Sequence, residues 1–231
     1  VQDLTKLIRC DSDDLPENLL GLAIRLENPG KNNPHSAIFI RYNSQNYLFH
    51  FTGNGQKVYL TTAINNDWFL FKALTNVNFF IPSIFAHFRR IKTKSKPAYF
   101  YFYGGGLFDS NGDYVDNEGL PNYMTCVGFC LAALKQTLST DLLKFDEWPS
   151  GKIKGKPEDF VELFYKKKVA PNYPDISLEL FSKNVRRISP LEYITAGFSD
   201  SFPASKTFVE TSKQRIKESI LHSINTWEYN D

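Results

Sequence analysis

The chain has 231 residues, 27 basic against 25 acidic, a formal net charge of +2 and an aromatic content of 15%. That aromatic load can bury a core, which excludes a disordered chain. The near-balanced charge gives no field for a dedicated nucleic-acid binder, and no apolar run approaches the roughly 18 residues that span a membrane.

In chain order, Leu4, Leu7 and Ile8 predict one helical turn before the polar Asp11-Ser12-Asp13-Asp14. Leu15-Pro16-Glu17 starts a second helix or extended run to Leu26, which Asn28-Pro29-Gly30 ends. A three-stranded antiparallel meander follows: Ser36 to Tyr42, Tyr47 to Phe51 and Val58 to Thr61, with turns at Asn43–Asn46 and Thr52–Gly55. Pro82 suits the first turn of a helix running to Ile91, followed by a basic loop from Lys92 to Lys96. Ala98 to Tyr103 reads as a strand that Gly104-Gly105-Gly106 breaks, and Asn111-Gly112 as a hairpin turn. Residues 122–138 read as one helix with Val127, Cys130, Leu131, Leu134 and Leu138 on a buried face. Pro157 to Lys168 predicts another helix, 171–204 reads as irregular, and Ser205 to Trp227 closes the chain as a helix. Its apolar stripe is Ile216, Ile220, Ile224 and Trp227. Helices around an antiparallel sheet make the class α+β, as a single domain over 1–231.

Some local patterns carry no chemistry. Asp109-Ser110-Asn111-Gly112-Asp113 has its glycine at the fourth position, whereas a calcium loop of the EF-hand type needs it at the sixth and a Glu at the twelfth. The segment reads as a turn. The Gly104–Gly106 run lacks the Gly-Lys-Ser/Thr ending of a phosphate loop. Basic clusters at Arg89-Arg90, Lys92–Lys96, Lys166–Lys168 and Arg186-Arg187 read as solvated faces, with a phosphate-rich partner as the alternative.

The thiols and imidazoles are more informative. Cys10, Cys126 and Cys130 form an odd set, which argues against a disulfide framework and for free thiols in a reducing compartment. The sequence opens at Val1, so loss of an initiator, signal peptide or cloning leader is expected, and either a cytoplasmic or an exported setting fits. Cys126 falls where a helix begins, a position whose amides and dipole favour thiolate. Cys130, one turn on, reads as a small buried hydrophobe, which is also the bland alternative for Cys126. Of the four histidines, His87 reads as packed within an apolar helix and His222 as partly exposed. His35 opens a strand, rigid behind and open in front, as a catalytic base needs. His50 lies in the next strand between Phe49 and Phe51.

His35-Ser36-Ala37-Ile38-Phe39-Ile40, then His50, then Cys126-Val127-Gly128-Phe129 opening a helix, resembles the circularly permuted NlpC/P60 group of papain-fold proteins. That group includes the lecithin:retinol acyltransferase-like and YiiX-like proteins. The resemblance spans roughly residues 33 to 138, with 139–231 as a mostly helical extension. It departs from the acyltransferase branch in Thr125 where an Asn stands, in Cys130 where an aliphatic is usual, and in a longer His35–His50 spacing.

The resemblance implies a small antiparallel sheet packed on the Cys-bearing helix. It also implies Cys126 as nucleophile, His35 as general base and His50 as the orienting group. If Tyr42 pairs with Tyr47 across a four-residue turn, His50 pairs with Phe39 and lies four residues along from His35. That is roughly 13 Å at about 3.3 Å per residue, so contact requires a shifted register or a bulge. Thr52 and Asn54 are the other polar candidates at that strand end. The oxyanion hole would draw on the Cys126 amide, with the Tyr123 hydroxyl as a second donor or, alternatively, a packed aromatic.

The expected activity is that of a cysteine peptidase or amidase, forming an acyl-enzyme on an amide or peptide bond without metal or organic cofactor. One alternative is a lipid acyl-hydrolase or acyltransferase, for which Phe79–Phe88 could supply an apolar surface. Another is a papain-fold binding module without catalysis. The expected partner is a peptide, amide or acyl substrate, with no nucleic acid and no transmembrane segment.

Overall fold

The Leu19–Ile24 run is apolar at nearly every position, so it can be buried on both sides, and it forms a central strand. In a computed structural model the sheet holds β1 (Leu7–Arg9), β2 (Leu19–Arg25), β3 (His35–Tyr42), β4 (Gln45–Thr52), β5 (Lys57–Thr61) and β6 (Phe69–Ala73). The structure describes residues 3, 5–25, 34–62, 64, 69–75, 80–100, 104–138, 140–153 and 155–228, apart from the side chains of Asn54, Phe69 and 224–228. The six strands pair antiparallel in the order β1-β6-β2-β3-β4-β5.

The three-stranded meander is present as β3, β4 and β5. The helical turn expected at Leu7 and Ile8 is instead strand β1, and the Leu15–Leu26 run takes its extended alternative as β2. A short apolar run fits a buried strand and a buried helix equally well, and pairing decides between them. Leu4, Leu26 and the Asn28-Pro29-Gly30 stop lie outside the described residues. Strand β6, which the sequence reading passed over, joins β1 to β2.

The two faces of the sheet bury different sets. Leu20, Leu22, Ile24, Ile38, Ile40, Phe49 and Phe51 face the helices. Leu19, Ala23, Ala37, Phe39, Leu48 and Phe71 face the other way, with Ile8, Cys10 and Ile64. On that second face the Phe39 and Phe71 rings stack with centroids 3.9 Å apart.

Helix α1 (Ile81–Lys94) starts beside Pro82 and runs further than Ile91, into the expected basic loop. Ile81, Ile84, Phe88 and Ile91 enter the core, while Phe80 ahead of them stays exposed; Phe79 lies outside the described residues. The strand expected at Ala98–Tyr103 is only β7 (Ala98–Tyr99), with 101–103 outside the described residues. Strands β8 (Leu107–Phe108) and β9 (Tyr114–Val115) form the hairpin around Asn111-Gly112. There Gly112 sits at φ +87° and Asp109 Oδ1 accepts from the Asn111 and Asp113 amides, as a turn requires.

The helix expected over 122–138 is shorter. Tyr123–Met124 is β10, paired parallel to β7, and α2 spans Cys126–Lys135. The helix expected from Pro157 is α3 (Phe160–Phe164), continuing as a π-helical turn through Val169. The stretch expected to be irregular holds α4 (Leu178–Asn184) and α5 (Pro190–Ala196). Each has a serine N-cap, and Ser189-Pro190-Leu191-Glu192 forms a full capping box. Helix α6 (Lys206–Glu228) ends the described chain and buries Ile216 and Ile220; the side chains of Ile224 and Trp227 lie outside the described residues. Tyr193, Ile194, Val209, Ile216 and Ile220 share one core with the sheet and α2. The fold is α+β, with a six-stranded antiparallel sheet.

Candidate functional site

Thr125 ends its extended segment and caps α2: its hydroxyl accepts from the Gly128 amide at 3.1 Å. Cys126 is therefore the first helical residue. The amides of a helix's first turn have no partner within the helix. Here the amides of Val127 and Cys126, together with that of Ser36 on β3, act on the Cys126 sulfur and favour thiolate. Burial opposes them and wins, so the thiol titrates above its ordinary value. The side chain is 8% exposed. The Ser36 hydroxyl also lies beside it, without making a hydrogen bond of ordinary geometry.

The two histidines meet. His35 Nε2 and His50 Nδ1 are 3.0 Å apart, and the rings cross edge-to-face with centroids at 5.1 Å. The register explains it. Tyr42 pairs with Gln45, not Tyr47, across a two-residue turn in which Asn43 and Ser44 take φ +48° and +61°. Such a turn matches the twist of the strands. The shift carries His50 opposite Ala37, diagonal to His35 on the same face, within reach of ring-sized side chains. The expected 13 Å separation rested on the longer turn and does not hold.

His35 is held down to about 3, by burial first, then by His50 and by Arg25, its register partner on β2. The imidazole is thus neutral at neutral pH. His50 stacks on Tyr59 of β5, with centroids 5.3 Å apart.

Cys126 reaches β3 at Ser36, the residue after His35. Strand alternation sends Ser36 to the helix-packed face and turns His35, with Ala37 and Phe39, to the other. Among the described residues no hydrogen bond joins Cys126 to an imidazole. The structure brings His35 to His50 and the thiol to the adjoining residue.

Tyr123 packs its ring against Phe164 at 5.2 Å and Phe100 at 6.4 Å, in the aromatic cluster under α3 and α4. Thr52 ends β4 opposite Lys57, and the Asn54 side chain lies outside the described residues. Cys10 and Cys130 are fully buried, and burial pushes both thiols well up.

Sequence reasoning missed Tyr193. Its hydroxyl donates to the Ala37 carbonyl at 3.0 Å, and the Cys130 thiol lies beside it. It ties α5 to both β3 and α2. A lone tyrosine in a stretch read as irregular gives no signal of this. The capping box before it was the available clue to the helix that places it.

Among the described residues no group of three His, Cys, Asp or Glu side chains could hold a metal ion, and no helix is long and apolar enough to cross a membrane. No family model matches the chain, and no curated protein or solved structure is significantly similar to it.

Proposed function

We propose that the chain is a thiol hydrolase of the permuted NlpC/P60-like papain-fold type, acting on an amide or peptide bond through an acyl-enzyme on Cys126. The observation that carries this reading is the 3.0 Å His35 Nε2–His50 Nδ1 bond at the strand start whose next amide touches the thiol. In the tautomer where Nε2–H of His35 donates to His50, Nδ1 of His35 carries a lone pair for the thiol proton. That lone pair is unprotonated at neutral pH, and the burial that holds His35 at about 3 has to be relieved before it is a base strong enough for the thiol. His35 takes the proton from Sγ as sulfur attacks the carbonyl carbon. The first-turn amides of α2 then stabilise the oxyanion. The imidazolium returns the proton to the leaving amine, and water, deprotonated by His35, releases the acid and regenerates the thiol.

Reaching this geometry requires the first residue of β3 to swing about its backbone, because His35 and the thiol lie on opposite faces of the sheet. Ser36 is bonded directly to His35, so the imidazole hangs one residue from the sulfur, and catalytic hydrogen bonds are commonly looser before substrate binds.

The burial of the Cys126 thiol favours a second reading, a papain-like binding module without turnover. The rate of Cys126 carboxamidomethylation by iodoacetamide at pH 7, read by mass spectrometry, separates the two. For the enzyme, Cys126 reacts at least tenfold faster than Cys10 or Cys130, and His35→Ala slows it at least tenfold. Equal rates in wild type and His35→Ala assign the chain to binding.

A further inference from the structure

A cavity of about 290 Å³ lies between α1, the β8–β9 turn and the end of α2. Phe80, Ile84, His87 and Arg90 line it from the side of α1; Ser110 and Gln136 face them.

Two of these residues are anomalous. His87 is only 7% exposed, and its Nε2 is sealed from solvent with no hydrogen bond. A buried polar atom left unpaired is costly, so its presence beside a cavity calls for a partner. Phe80 is the reverse, a large apolar ring 73% exposed at the rim. Burial, then Arg90, hold the His87 imidazole below its ordinary value, against the pull of Asp109. The ring is a neutral hydrogen-bonding group rather than a second cation. Arg90 is the charged group of the lining, and a guanidinium fork matches a carboxylate in two parallel hydrogen bonds. The volume is at the small end for ligand sites.

We infer that this cavity binds a small carboxylate with a flat apolar body. The carboxylate lies against Arg90 with His87 as its neutral polar neighbour, and the body lies over Phe80 and Ile84. The site stands apart from Cys126 and does not depend on what the thiol does.

Sodium benzoate titrated into the 13C,15N-labelled full chain tests it, followed through the histidine ring resonances. A saturable shift confined to the His87 ring is expected, weakened at least tenfold in Arg90→Gln. Arg90 is exposed, so that variant keeps the fold. His87→Gln assigns the resonance; if that variant does not fold, the Ile84 methyl resonances report in its place. No saturable shift, or unchanged binding in Arg90→Gln, overturns the inference. Inorganic phosphate saturating the same resonances as tightly as benzoate also overturns it, because the apolar body would then contribute nothing.

Discussion

Replacing His35 by Gln should change how stability depends on pH. In the folded chain His35 titrates at about 3, against 6.5 for the ordinary group. The shift is downward, so the unfolded chain binds the extra proton between those values. His35's contribution is complete above pH 6.5 and is lost as pH falls toward 3. At pH 4.5 the unfolded imidazole is almost fully protonated and the folded one is not. A gap of about two pH units at ~1.36 kcal/mol each gives a loss of about 2.7 kcal/mol relative to pH 7.5. Urea unfolding of wild type and His35→Gln at pH 7.5 and 4.5 isolates the term. Groups that do not touch His35, including His87, whose value is also lowered, act in both proteins and cancel. The stability difference between the proteins should move by about 2.7 kcal/mol in favour of the variant at the lower pH. Movement of less than about 1 kcal/mol would refute the burial of a neutral His35 against His50 and Arg25.

Other substitutions probe the frame around the site. Tyr193→Phe removes the buried hydroxyl that donates to the Ala37 carbonyl, and should cost about 1–3 kcal/mol in urea unfolding at unchanged slope. Gly21→Ala would place a methyl 2.7 Å from Phe71 Cδ2 and 2.8 Å from the Lys72 carbonyl oxygen, so a loss of about 1–3 kcal/mol is expected by the same measurement. Ser44→Gly relieves a non-glycine residue at φ +61° and should raise stability in urea unfolding by about 0.5–1 kcal/mol; a decrease would mean that the turn is not of this type.

The parts of the fold that the sequence made visible are those with strong local period or punctuation. Alternating apolar and aromatic residues marked β3, β4 and β5, and Asn111-Gly112 marked its hairpin. The Cys126 helix start was visible because a polar loop gives way abruptly to Val127–Leu134. Tertiary pairing decided the rest. Leu7 and Ile8 carry no helix because they lie beside Phe71 and Lys72 of β6, a pairing across more than sixty residues. Tyr123 and Met124 leave the helix because β7 captures them. Helices α4 and α5 are seven residues each, too short for periodicity to announce, and their serine caps were the local signal that the reading of 171–204 as irregular left unused.

The candidate site turns on an ambiguity of the same kind. Asn43-Ser44-Gln45-Asn46 is polar throughout, so hydrophobicity alone does not say whether two or four residues make the turn. Asn-Gly would have signalled the two-residue form, but Ser44 takes the second left-handed position instead and hides it. The choice is decided by burial. A two-residue turn places Asn46 within the strand, where its amide donates to the Cys10 and Ser12 carbonyls at 3.1 and 2.9 Å and its oxygen accepts from Arg41. Asn46 is thus spent on holding the segment after β1 rather than on a loop. Arg41 and Asn46 face each other in register, and the same register that satisfies them brings the two imidazoles together further along. Disrupting the buried Asn46 contacts, far from the imidazoles along β4, should therefore loosen the His35–His50 pair, because one register sets both.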